Sequence, residues 1–142
     1  MSKTVTVRQV AEAMVADKTP KAKGMFELKF GKYDHTEGFV AACAIGGAAW
    51  RLGVDAWQLQ SALGRVNIDG VPQPKRDPLD EPVRDLAAAI YIRNDNTRIS
   101  KKQIGNVILK HADEKTLNTE LNVAEWDEGE HANTTFIGKE RK

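Results

Sequence analysis

The chain predicts an α+β fold, mainly helical, with about five helices around a central apolar helix and a small β-sheet or hairpin. Three observations carry that expectation. The stretch from 38 to 52 is apolar nearly all round, and between Glu37 and Arg51 it holds no charge, which suits a helix enclosed by other elements. Apolar residues recur at helical spacing after Thr6, Asp80 and Ser100, each a residue type that caps a helix start. Phe26, Leu28 and Phe30 alternate with Glu27, Lys29 and Gly31, the pattern of a half-buried strand.

Taken in order, the first helix opens at Thr6, with Gln9 placed to complete a capping box. Val7, Val10, Ala11, Met14 and Val15 fall on one face, and Pro20 closes the segment. The strand around Phe26 to Phe30 needs a partner for its backbone groups, and the sequence offers both Val66-Asn67-Ile68 and Thr134-Thr135-Phe136-Ile137. The apolar helix follows and stops at Gly53. It is too short for the roughly 20 residues that span a bilayer. Its glycines, Gly46 and Gly47, cost helix stability, so close approach of a neighbouring backbone or ligand is expected there.

Asp55 caps a short helix to which Trp57, Leu59 and Leu63 contribute apolar contacts, and Gly64 ends it. Four of the five prolines lie between Asp69 and Pro82, which marks a surface loop. Asp80-Glu81-Pro82 reads as the next helix start, followed by Val83, Leu86, Ala87 and Ile90 on one face and broken at Arg93-Asn94-Asp95-Asn96-Thr97. Ser100 and Gln103 form a second capping box, opening a helix whose inner stripe is Ile104, Val107, Ile108 and His111. Beyond that the chain turns acidic. Residues 1–117 are expected to form one globular domain and 118–142 an acidic, loosely packed C-terminal segment.

At 41% hydrophobic and 29% charged, the chain has too much apolar material for a disordered protein. Cys43 is the only cysteine, so no intramolecular disulfide can form, and the opening Met-Ser-Lys-Thr-Val lacks the basic-then-apolar pattern of an export signal. The cytoplasm is the expected location. A formal net charge of +1 provides no global field to attract nucleic acid or an anionic membrane, so any such attraction must be local. Locally the charge is uneven: Arg93, Arg98, Lys101, Lys102 and Lys110 face only Asp95 in one stretch, and the stretch after it is acidic.

Two segments carry a family resemblance. Cys43-Ala44-Ile45-Gly46-Gly47-Ala48, together with the turn Ile92-Arg93-Asn94-Asp95-Asn96 feeding a helix that ends Lys110-His111-Ala112, resembles an uncharacterised family of short proteins carried by phages and actinobacteria. That family pairs a Cys-x-x-Gly-Ala helix with a Trp-Asn-Asp turn. Here Arg93 stands in place of the Trp and a second Gly in place of the Ala. The resemblance implies a phage or mobile-element setting and carries over no catalytic residue.

Three groups of residues are able to do chemistry. Cys43 beside His35 or His111 has the makings of a thiol nucleophile pair, although a cysteine inside an apolar helix is ordinarily a buried small hydrophobe. Tyr33, Asp34 and His35, with Glu37, form a loop that together with Asn94 and Asp95 outlines a ligand pocket. Helix capping and turn formation explain the same residues. Arg98, Lys101 and Lys102 crowd a helix start that could contact phosphates, as in a helix-turn-helix, but the turn before it is longer than that motif uses. No metal-ligand spacing and no cofactor motif is present. The expectation is a non-enzymatic binding protein that contacts a host or virion protein, without a cofactor and without membrane attachment. A nucleic-acid-binding regulator using residues 98–102 is the first alternative, and a small enzyme or small-ligand binder with a pocket near 33–37 and 94–96 the second.

Overall fold

The computed structural model describes residues 2–17, 28–30, 39–75, 79–96 and 98–126, and within them the architecture is the expected mainly helical α+β one. In chain order the elements are β1 (Ser2–Thr6), α1 (Val7–Ala16), β2 (Leu28–Phe30), β3 (Phe39–Ala42), α2 (Ala44–Leu52), α3 (Ala56–Leu63), α4 (Leu86–Asn94), α5 (Lys101–His111), α6 (Glu114–Leu117) and β4 (Glu120–Ala124).

The first helix starts where its chemistry dictates. Thr6 Oγ1 accepts from the Gln9 N–H at 3.1 Å, and Gln9 Oε1 accepts from the Thr6 N–H at 2.8 Å. Such a cap is worth about 1 kcal/mol. Val7, Val10, Ala11 and Met14 then point inward. Their main partner is α5, which opens on the second capping box, Ser100 with Gln103. At Gly105 the two helices meet backbone to backbone: a Cβ there would sit 2.5 Å from the Ala11 carbonyl oxygen and 2.8 Å from Val15 Cγ2. Only a glycine allows that approach. Gly46 and Gly47, where such contact was expected, are both buried within α2.

The apolar run is divided between two structures. Residues 39–42 form β3, antiparallel to β2 with Leu28 opposite Ala42, and the helix begins only at Ala44. A uniformly apolar run has no period, so sequence spacing does not separate a strand from a helix within it. The partner of β2 is therefore β3, not residues 66–68. Asn67 instead makes an isolated bridge to Asp85, and residues 134–137 lie outside the described residues. At the other end of α2, Gly53 adopts φ 72°, a left-handed cap that favours glycine.

The next helix starts later than expected. Its cap is Asp85, whose carboxylate accepts from the Ala88 N–H at 2.8 Å, not Asp80. Residues 81–84 before it are not helical: the Gln73 side-chain amide bonds both the N–H and the carbonyl of Val83, and the Leu86 N–H donates to the Val66 carbonyl. The helix also runs on through Arg93 to Asn94. Arg93 is 7% exposed and donates to the carbonyls of Ala89 and Pro72, so it ties the proline-rich loop to α4.

The boundary expected at 118 is corrected. β4 pairs with β1 along its whole length, Ser2 opposite Ala124 and Thr6 opposite Glu120, with Leu121 and Val123 buried on one side. Asp55 N–H donates to the Ala124 carbonyl and Trp126 N–H to the Gly53 carbonyl, each at 2.8 Å, so the strand is stitched to the corner between α2 and α3. Trp126 is 8% exposed. The segment up to Trp126 thus belongs to the domain core, and 127–142 lie outside the described residues.

Candidate functional site

Four helix ends converge on one buried polar cluster: Asp17 caps the end of α1, Cys43 caps the start of α2, Asn94 is the last residue of α4 and Lys101 the first of α5. Lys101 Nζ lies 2.9 Å from Asp17 Oδ2, and their side chains are 4% and 3% exposed. Burial lowers the Lys101 pKa, because the interior solvates an ammonium poorly. The charge and hydrogen bond of Asp17, and then Cys43, act in the opposite direction. The first turn of a helix is also the end where a cation opposes the dipole. This lysine is held by its partner and not by its position in the helix.

The start of α2 is buried, so its free backbone amides need partners from within the protein. Asn94 Oδ1 accepts from the Ala44 N–H at 2.8 Å, and Cys43 Sγ accepts from the Gly46 N–H at 3.2 Å. Asn94 is 1% exposed and Cys43 is 2% exposed. Both side chains therefore cap a helix in the interior. Neither opens onto a surface where a ligand would reach it.

Other predicted residues are placed as follows. Asp95 is exposed and caps the end of α4, and the Asn96 side chain accepts from the Arg98 N–H at 2.9 Å, an Asx-type turn. Tyr33, Asp34, His35 and Glu37 lie outside the described residues. Of the three basic residues at the α5 start, Arg98 and Lys102 are exposed while Lys101 is interior, so Lys101 does not face a phosphate. Arg93, counted with the same basic stretch, is interior too, and burial lowers its pKa. His111 is exposed at the end of α5 and does not continue its inner stripe. Among the described residues no group of three His, Cys, Asp or Glu side chains is placed to hold a metal ion, and no helix is long and apolar enough to cross a membrane.

One exposed residue stands out against the sequence expectation. Trp57 is 63% exposed, whereas Ala56, Leu59, Ala62 and Leu63 of the same helix are buried. The spacing carries the signal: 56, 59 and 63 share a face, and a residue one position after 56 and two before 59 does not. A second large apolar side chain, Leu79, is 93% exposed in the loop before α4. Compared with family models, curated proteins and solved structures, the chain matches none.

Proposed function

We propose that this is a non-enzymatic binding protein of phage or mobile-element type, working in the cytoplasm, that acts by contacting a host or virion protein through the α3 surface. The observation that carries the reading is Trp57, which leaves 63% of its surface in water on a helix whose other apolar residues are packed. Tryptophan is enriched among the residues that dominate protein interfaces, because it covers a large area with few rotatable bonds and so loses little entropy on docking. Exposed Gln58 and Ser61 adjoin it and provide a polar rim. The phage setting is supported by the resemblance of the Cys43 to Ala48 segment and the Ile92 to Asn96 turn.

The nucleic-acid alternative loses its central residue, since the Lys101 ammonium is committed to Asp17 inside the protein. What is left at that helix start is Arg98 and Lys102, too few for the affinity that phosphate contacts supply at physiological salt. The ligand-pocket alternative loses Asn94 to the α2 cap. Quantitative capture from host-cell lysate tests the proposal: the native chain retains a protein that Trp57→Ala loses about tenfold or more, in line with an interface anchor. Equal retention by both chains would contradict it.

A further inference from the structure

The geometry points to the groove between α1 and the last turn of α2 as a second docking site, for a partner polypeptide segment that carries an apolar, a cationic and an anionic side chain. The groove has a volume of about 320 Å³ and is open to solvent. Ala13, Ala16 and Leu52 give it apolar lining, and Gln9, Glu12 and Arg51 polar lining. Glu12 and Arg51 line the same groove, yet among the described residues neither makes an ion pair, with the other or with anything else. Opposite charges that line one groove with apolar residues and do not pair with each other are complementary to an occupant that offers a lysine or arginine to Glu12 and a carboxylate to Arg51.

Lys3 Nζ donates to the Leu52 carbonyl at 2.6 Å, so the end of α2 already has its compensating cation and Arg51 is not needed for it. Gln9 is fixed by the Thr6 capping box. A small molecule would lie half in water in an open groove, whereas a chain segment adds contacts along its length. That favours a polypeptide occupant. The inference rests on the reading of this chain as a protein-binding one, and it adds a site separate from Trp57.

The test uses the isotope-labelled full chain and synthetic helical peptides bearing Lys, Leu and Glu on successive turns, followed by amide chemical shifts. Saturable shifts are expected at Gln9, Glu12, Ala13, Ala16, Arg51 and Leu52. Glu12→Gln should weaken binding about two- to fivefold, as an exposed pair allows, and that loss should vanish with a peptide whose Lys is replaced by Gln. Arg51→Gln should behave likewise toward the peptide Glu. Absence of saturable shifts at these residues, or a Glu12→Gln loss that persists without the peptide Lys, overturns the inference. Free leucine binding the groove as tightly as the peptide overturns the polypeptide occupant. Trp57→Ala acts through α3, so its partner loss in lysate capture stands or falls independently of these results.

Discussion

Lys101 and Trp57 are each on the unexpected side of the surface, a cation inside and a tryptophan outside, and the two are treated differently by the fold. Lys101 is enclosed with a carboxylate at 2.9 Å, beside a helix contact so close that Gly105 has no room for a side chain. Trp57 is 63% exposed on a helix whose Ala56, Leu59, Ala62 and Leu63 are buried. The first arrangement costs the desolvation of two charges, which their close pairing offsets, and it lies in the interior. The second leaves a large apolar area where another molecule can cover it. Interior polarity in this protein holds helix ends together, and exposed apolarity is the feature on which the proposed binding rests.

Removing one member of the ion pair is the strongest way to sharpen that contrast. Asp17→Ala strands a buried ammonium and should destabilise the protein by about 3–5 kcal/mol, read from the urea midpoint. Replacing both, Lys101→Met with Asp17→Asn, should cost little or even stabilise, because the desolvation penalty disappears with the charge. If Asp17→Ala left the midpoint unchanged, the pair would not be an interior one. Gly105→Ala comes next in size. The added methyl meets the Ala11 carbonyl and Val15, and a loss of about 1–3 kcal/mol is expected from overpacking.

A pH titration breaks the comparison in a third way. The Lys101 pKa is lowered in the folded state, mainly by burial, so between that depressed value and the ordinary 10.5 the unfolded chain binds more protons than the folded one. Stability should accordingly rise with pH across that window relative to Lys101→Met, and the difference should level off above 10.5. A fall in the native chain relative to the variant over the same window would reverse the sign and mean that the pair favours the charged lysine on balance.

Local chemistry was legible in the sequence, and distant pairing was not. The boxes Thr6 with Gln9 and Ser100 with Gln103, the Asp55 cap and the Gly53 stop each depend on residues within a turn of one another, and all are present. β1 has one buried side chain in five residues, Val5, too little alternation to announce a strand, and its partner β4 lies more than a hundred residues away in the chain. Lys101 read as a surface lysine because Asp17, which draws it inward, is 84 positions distant. The α4 start differs for a related reason: Asp80-Glu81-Pro82 has the right residue types, but the Gln73 amide claims the backbone N–H and carbonyl of Val83, which a helix there would need. Asn94 belonged to a turn by residue type and became an interior cap through Ala44, 50 positions earlier.

The most direct measurement sets the two regions side by side: partner retention per folded molecule, with urea stability on the same samples, for Trp57→Ala and for the double replacement Lys101→Met with Asp17→Asn. Surface substitutions such as Trp57→Ala ordinarily shift stability by no more than about 0.5 kcal/mol. The account predicts that Trp57→Ala keeps its stability and loses the partner, while the double replacement keeps the partner. Retention by Trp57→Ala, or its loss from a folded double variant, would contradict the assignment of binding to the exposed tryptophan and of the buried pair to structure.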